Sequence, residues 1–238
     1  MEAGARKMFP VTGKLNQIKA KRMEREGIRS LEQTFGYSLA QLQELFADGP
    51  PNLAEASLPA YPDAVFDSGI GINAFGIVVD VESTQFPRFL NLVRSTGVEK
   101  HWLGFKDETA GSPTYTLIRT MSRFRGVSVK VLTNNVELIR SITEEHFNPT
   151  PPWVAMYEHG PFLHLIQGEE EYWFDHIWVR FWRSLTPDRQ RAFVRKSREE
   201  TRHYISDEEW HDWLTDLTMQ DPRTRPLGDE ALAQLDWF

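Results

Sequence analysis

Residues 75–93 read FGIVVDVESTQFPRFLNLV. From Phe75 to Val81 β-branched apolar residues cluster, which is the composition of a buried strand bounded by turn signals. Ser83 or Thr84 then offers a cap and Pro87 falls in a first turn. Phe86, Phe89, Leu90 and Val93 follow at helical spacing. A strand running directly into a helix predicts an α+β protein, and the flanking sequence extends the pattern on both sides.

Downstream, Lys100 to Phe105 and Thr114 to Thr120 read as strands joined across Asp107 to Pro113. Val127, Val129 and Val131 alternate with polar residues, as in a strand with one buried face. Asn134 or Asn135 caps a helix that turns Val136, Ile139 and Ile142 inward. Trp153 to Tyr157 and Phe162 to Ile166 have the composition of a further hairpin. The expected sheet is therefore mixed or antiparallel, with two paired βαββ units as one arrangement of it.

Upstream, the first 30 residues read as helical with a break at Gly27. Ser30 with Gln33, and Ser38 with Gln41, have capping-box spacing. The stretch from Asp48 to Pro62 is proline-containing and sparse in core residues, so it reads as a linker. After residue 168 the chain is helical and tryptophan-rich. Tyr172, Trp173, Phe174, Ile177, Trp178, Phe181 and Trp182 form an apolar arc too wide for a surface helix. Thr186-Pro187-Asp188 starts a second helix and Ser206 with Glu209 caps a third. The organisation expected is a basic helical arm and linker (1–60), a sheet domain (61–168) and a C-terminal helical bundle packed on it (169–238).

Composition sets the outer limits. With 238 residues, 40% hydrophobic and 26% charged, the chain has ordinary globular usage, unlike a disordered polymer, a collagen repeat or a membrane bundle. Zero cysteines exclude disulfides, thiolate zinc sites, iron–sulfur clusters and a cysteine nucleophile. No apolar run near the N-terminus resembles a signal-peptide core, so a cytoplasmic location without membrane contact is expected. Residues 1–30 hold eight Lys or Arg against three acids, giving +5 and leaving −12 on the rest of a chain whose total is −7. So acidic a body disfavours a phosphate backbone, and nucleic acid is an unlikely partner on charge grounds.

Motifs for chemistry are sparse. The glycines Gly69, Gly71 and Gly76 precede a strand instead of following one, so they read as a turn and not as a dinucleotide loop. No Gly-Lys-Ser/Thr, His-Glu-x-x-His or Gly-x-Ser-x-Gly occurs. The densest polar set is His159, His164, Glu171, Asp175 and His176. Glu171 and Asp175 share a helix face, and if the expected hairpin folds on that helix the set suits a hard or borderline metal, or a general acid and base. No residue set is assigned as a metal site and no cofactor is expected. A second constellation, Arg119, Arg123, Arg125 and Lys130 around Phe124, has the mixture of cations and aromatics that can hold phosphates.

Without a catalytic set, the reading that fits best is a non-catalytic cytosolic binding protein. An acidic, aromatic-rich chain suits an inhibitor of the immunity type that neutralises a toxin or enzyme, its protein partner being basic. Trp153, Tyr157, His159, His164, Glu171, Asp175 and His176 are the candidate contact residues. The alternatives are a metal-dependent enzyme using the His/Glu/Asp set and a small-ligand sensor with a groove between sheet units.

Overall fold

A computed structural model describes residues 11–50, 53, 56–101, 103–108, 112–161 and 166–223. Six strands form one antiparallel sheet: β1 (Ala64–Phe66), β2 (Phe75–Glu82), β3 (Val98–His101), β4 (Gly104–Asp107), β5 (Thr114–Arg123) and β6 (Gly126–Thr133). Their order across the sheet is β1-β2-β6-β5-β4-β3. The protein is α+β with an open sheet and a helical, tryptophan-rich C-terminus.

Strand alternation divides the sheet residues between two faces. On one face, Phe75, Ile77, Val79 and Val81 of β2 lie beside Val129 and Val131 of β6 and Ile118 of β5. Two helices, α3 (Phe86–Ser95) and α4 (Val136–Glu144), close over them with Phe89, Val93, Leu138, Ile139 and Ile142. This face is a complete core.

The opposite face is covered only at its ends. At one end α1 (Val11–Phe35) and α2 (Leu39–Leu45) bring Leu42 and Phe46 onto Leu117 and Leu132. At the other sits a continuous helix made of α6 (Glu169–Trp173), a π-helical turn (Phe174–Trp178) and α7 (Val179–Ser184). With α8 (Pro187–Thr201), α9 (Asp207–Gln220) and a short α5 (Pro152–Ala155), it forms a separate core around Trp153, Trp178, Trp182, Trp210 and Trp213. Arg223 closes this bundle. Its guanidinium donates to the carbonyls of Trp182, Arg183 and Leu185, each at 3.2 Å, satisfying acceptors that the helix end leaves open.

Several local expectations change. No break occurs at Gly27, and α1 runs through Ser30 and Gln33, so that capping box does not form, whereas those at Ser38 and Ser206 do. The strand expected over Lys100 to Phe105 is divided into β3 and β4, with Leu103 between them at φ 60°. Ser83 is not the cap of α3, since its hydroxyl donates instead to the Arg125 carbonyl at 3.0 Å. Trp153 to Tyr157 is helical, with Pro152 pre-set for a first helical position, so the second βαββ unit is not formed. Of its other expected strand, Phe162 to Ile166, residues 162–165 lie outside the described residues and Ile166 is not in a strand. Among the described residues no helix is long and apolar enough to cross a membrane.

Asp221, buried at the end of α9, ties the bundle to pH. Burial raises its pKa, but hydrogen bonds and the positive charge from Arg223, with help from Gln190, outweigh this and hold it below the ordinary carboxylate value. A carboxylate lowered on folding stabilises the fold above its unfolded pKa and loses that contribution as pH falls through its folded value. Asp221→Asn is expected to be less stable than wild type at neutral pH, with the gap narrowing as pH falls below the ordinary 3.8. Urea titrations over a series of pH values measure the gap.

Candidate functional site

Between the two covered ends of the second face lies a groove of about 450 Å3. Register fixes its floor. Val78 of β2 and Lys130 of β6 are directly paired and line it, and Arg119 of β5, opposite Lys130, continues their row on the same face just beyond the lining. Asp80, Ser128 and Met121 form the next row. The walls are Val65 and Asp63 on one side and Tyr172, His176 and Arg180 of the π-containing helix on the other. Met121 is 53% exposed and Val78 39%, so the floor offers apolar surface that no other element covers among the described residues.

The inner end of the groove is held by a buried carboxylate. Asp80 accepts a hydrogen bond from the indole Nε1 of Trp173 at 2.7 Å and pairs with the Arg123 guanidinium at 3.4 Å. This is why an acid sits inside the apolar run of β2: it faces away from the main core, toward the bundle. Tyr61 borders the same cluster and its hydroxyl is buried without a partner among the described residues. Burial, then the nearby charge of Asp80, pushes the Tyr61 phenol far above its ordinary pKa, so it stays neutral.

The turn between β5 and β6 depends on the same contacts. Phe124 and Arg125 both have positive φ, 48° and 55°, a geometry that glycine or asparagine would adopt with less strain. Tertiary contacts hold it. The Phe124 ring packs on Trp173 with centroids 5.0 Å apart, and Arg125 pairs with Glu158.

The outer end carries unpaired charge. Arg119 and Lys130 are directly opposite one another, an arrangement that disfavours the fold when the charges are alike. Lys130 reaches only the Thr34 hydroxyl, at 3.5 Å, and neither cation has an ion pair among the described residues. By contrast Arg180 is paired with Asp63, and Arg123 with Asp80.

The residues singled out from sequence fall in different places. His176 lines the groove wall and stacks on Tyr172, which is 56% exposed, with ring centroids 4.5 Å apart. Glu171 and Asp175 are exposed on the same helix, whereas His159 turns to Glu170 at 3.0 Å. No three His, Asp or Glu residues form a metal-holding group among the described residues, and His164 lies outside them. Trp153, expected at a contact surface, is 1% exposed and packs against Trp178 and Trp210. Tyr157 is at the surface beside Tyr204, away from the groove lining. Of the basic set, Arg119, Arg123 and Lys130 share the groove face, while Arg125 sits on the turn. Asp80 and Tyr61 were missed. The one local sign of Asp80 was a lone acid within FGIVVDV, and its partner is 93 positions away.

Asp80→Ala strands the indole N–H and the guanidinium together and is expected to cost about 3 kcal/mol. Asp80→Asn keeps an oxygen for Trp173 and costs about 1 kcal/mol. Denaturant unfolding followed by tryptophan fluorescence checks both. Arg119→Glu converts a cross-strand repulsion into an attraction and should raise stability by about 0.2–1 kcal/mol, read in the same assay. Comparison with protein-family models, curated proteins and solved structures finds no match for this chain.

Proposed function

We propose that this chain is a non-catalytic binding protein of the inhibitor type, which engages a partner protein through the groove on the second sheet face. One observation carries the reading: among the described residues the sheet is left bare between α1–α2 and α6–α7, with Val78 and Met121 exposed beside an exposed Tyr172. Apolar and tyrosine side chains flanked by arginines are the materials of an interface anchor. Among the described residues no three His, Asp or Glu side chains gather in the groove, and the histidine of its lining, His176, packs against Tyr172.

Net charge alone favours a basic partner. The groove departs from that average, because Lys130, Arg123 and Arg180 line it against Asp63 as the one acid among its described lining residues. A partner acting here meets local charge at contact distance, and the global field is screened beyond about 8–10 Å at physiological salt.

A photo-crosslinking amino acid at Met121, introduced in the cell of origin, tests the reading. The expected result is one adduct of fixed stoichiometry that disappears in Val78→Arg and is absent when the crosslinker sits at the exposed Arg202 on the far end of α8. The purified chain should then suppress the captured partner's own activity. Identical adducts at both positions, or none at Met121, would overturn the proposal.

A further inference from the structure

We infer that the groove's occupant is an extended, acidic segment of the partner protein, whose carboxylate is received between Arg119 and Lys130 and whose neighbouring apolar side chain lies on Met121. The inference rests on the binding reading above and adds the chemistry of what is bound.

Three features of the floor lead there. The first is the cation pair. Arg119 and Lys130 stand opposite each other on adjacent strands, and among the described residues neither has a carboxylate as ion-pair partner, so their repulsion is one that an incoming carboxylate removes. A carboxylate between an arginine and a lysine makes charge-assisted hydrogen bonds to both, stronger than neutral ones. The second is spacing. Arg119 and Met121 are two positions apart on β5 and point to the same face, a separation of about 6.8 Å. An extended segment repeats its side chains at the same interval, so an acid and an apolar residue at i and i+2 match the two in register. The third is the neighbourhood. Val78 extends the apolar surface beside Lys130, while Arg123 and Arg180, the cations that line the groove with Lys130, are already committed to Asp80 and Asp63, and Arg119 stands next to Lys130 on the same face. The receptive charge is thus confined to one spot.

A folded helix would present its side chains at a different interval, and a nucleic acid would present phosphates without the apolar group that Met121 and Val78 call for. Salt weakens an interaction of this kind, because both cations are at the surface.

The test is selection of random peptides of about ten residues, displayed on phage, against the full chain at low and high salt. Enriched peptides should carry Asp or Glu two positions from an apolar residue. Their affinity should fall on the order of tenfold or more in R119E/K130E and in high salt. R119E/K130E replaces one like-charged pair by another at exposed sites, and circular dichroism confirms that it folds. Peptides without acids, or acidic peptides that bind R119E/K130E as well as wild type, would overturn the inference. So would single-stranded DNA that competes with the peptides and binds as tightly. If the selected peptides are not acidic but are lost in Met121→Arg, the groove reading survives and only its chemistry fails. If Met121→Arg has no effect on any selected peptide, both fall.

Discussion

The buried hydrogen bond from the Trp173 indole to Asp80 anchors the helical bundle on the sheet, beside the ion pairs of Arg180 with Asp63 and Arg125 with Glu158. A carboxylate in the middle of a sheet is tolerated only when its charge is met, and Asp80 is met by the indole and by Arg123. That requirement brings the first turn of the long π-containing helix down onto the sheet. Phe124 is then pressed against Trp173, and the strained β5–β6 turn is held in the conformation that sets the register of both strands. The bundle's other large indoles have no such link: the ring N–H groups of Trp153, Trp178 and Trp210 are buried without a hydrogen-bond partner among the described residues. Trp173, by contrast, packs in the bundle core and donates its indole N–H to a strand of the sheet.

Because the bundle is anchored at one end of the face and α1–α2 at the other, the middle of the sheet stays open. The uncovered strip is also where the fold is least at ease with itself, since its two free cations repel one another. Natural sequences accept local destabilisation where a site must stay receptive, and stabilising substitutions at such places tend to reduce function. Arg119 and Lys130 have that character, whereas Asp80 and Arg123 belong to the framework beneath.

The sequence was legible wherever the signal is local. FGIVVDV, the alternating valines of β6, the caps at Ser38, Asn135, Thr186 and Ser206, and the tryptophan arc each encode their element within a turn or two. Long-range pairings were not legible. The opposition of Arg119 and Lys130 depends on a two-residue turn at Phe124 and Arg125, which carries no Asn-Gly or Asp-Gly signature because tertiary contacts hold it. Trp153 looked like surface because strand and short helix cannot be told apart from five apolar residues. The Pro151-Pro152 pair preceding it was the available clue. Of the His/Glu/Asp set, the described residues place His159 on Glu170 and His176 beside Tyr172, while His164 lies outside them.

The wide turn in the middle of the long helix makes the groove a matter of chain length as well as residue identity. At Phe174–Trp178 the backbone carries a residue more than a regular helix would, with the Val179 amide reaching back to the Phe174 carbonyl. Trp173 lies before this insertion and Arg180 after it, and both grip the sheet, one at Asp80 and the other at Asp63. Removing one residue between them would restore an ordinary helix and rotate everything beyond by about 100°. Only one of the two grips would then survive, and the wall would swing away from the floor. The groove is therefore set by the number of residues in this helix as much as by the side chains it carries.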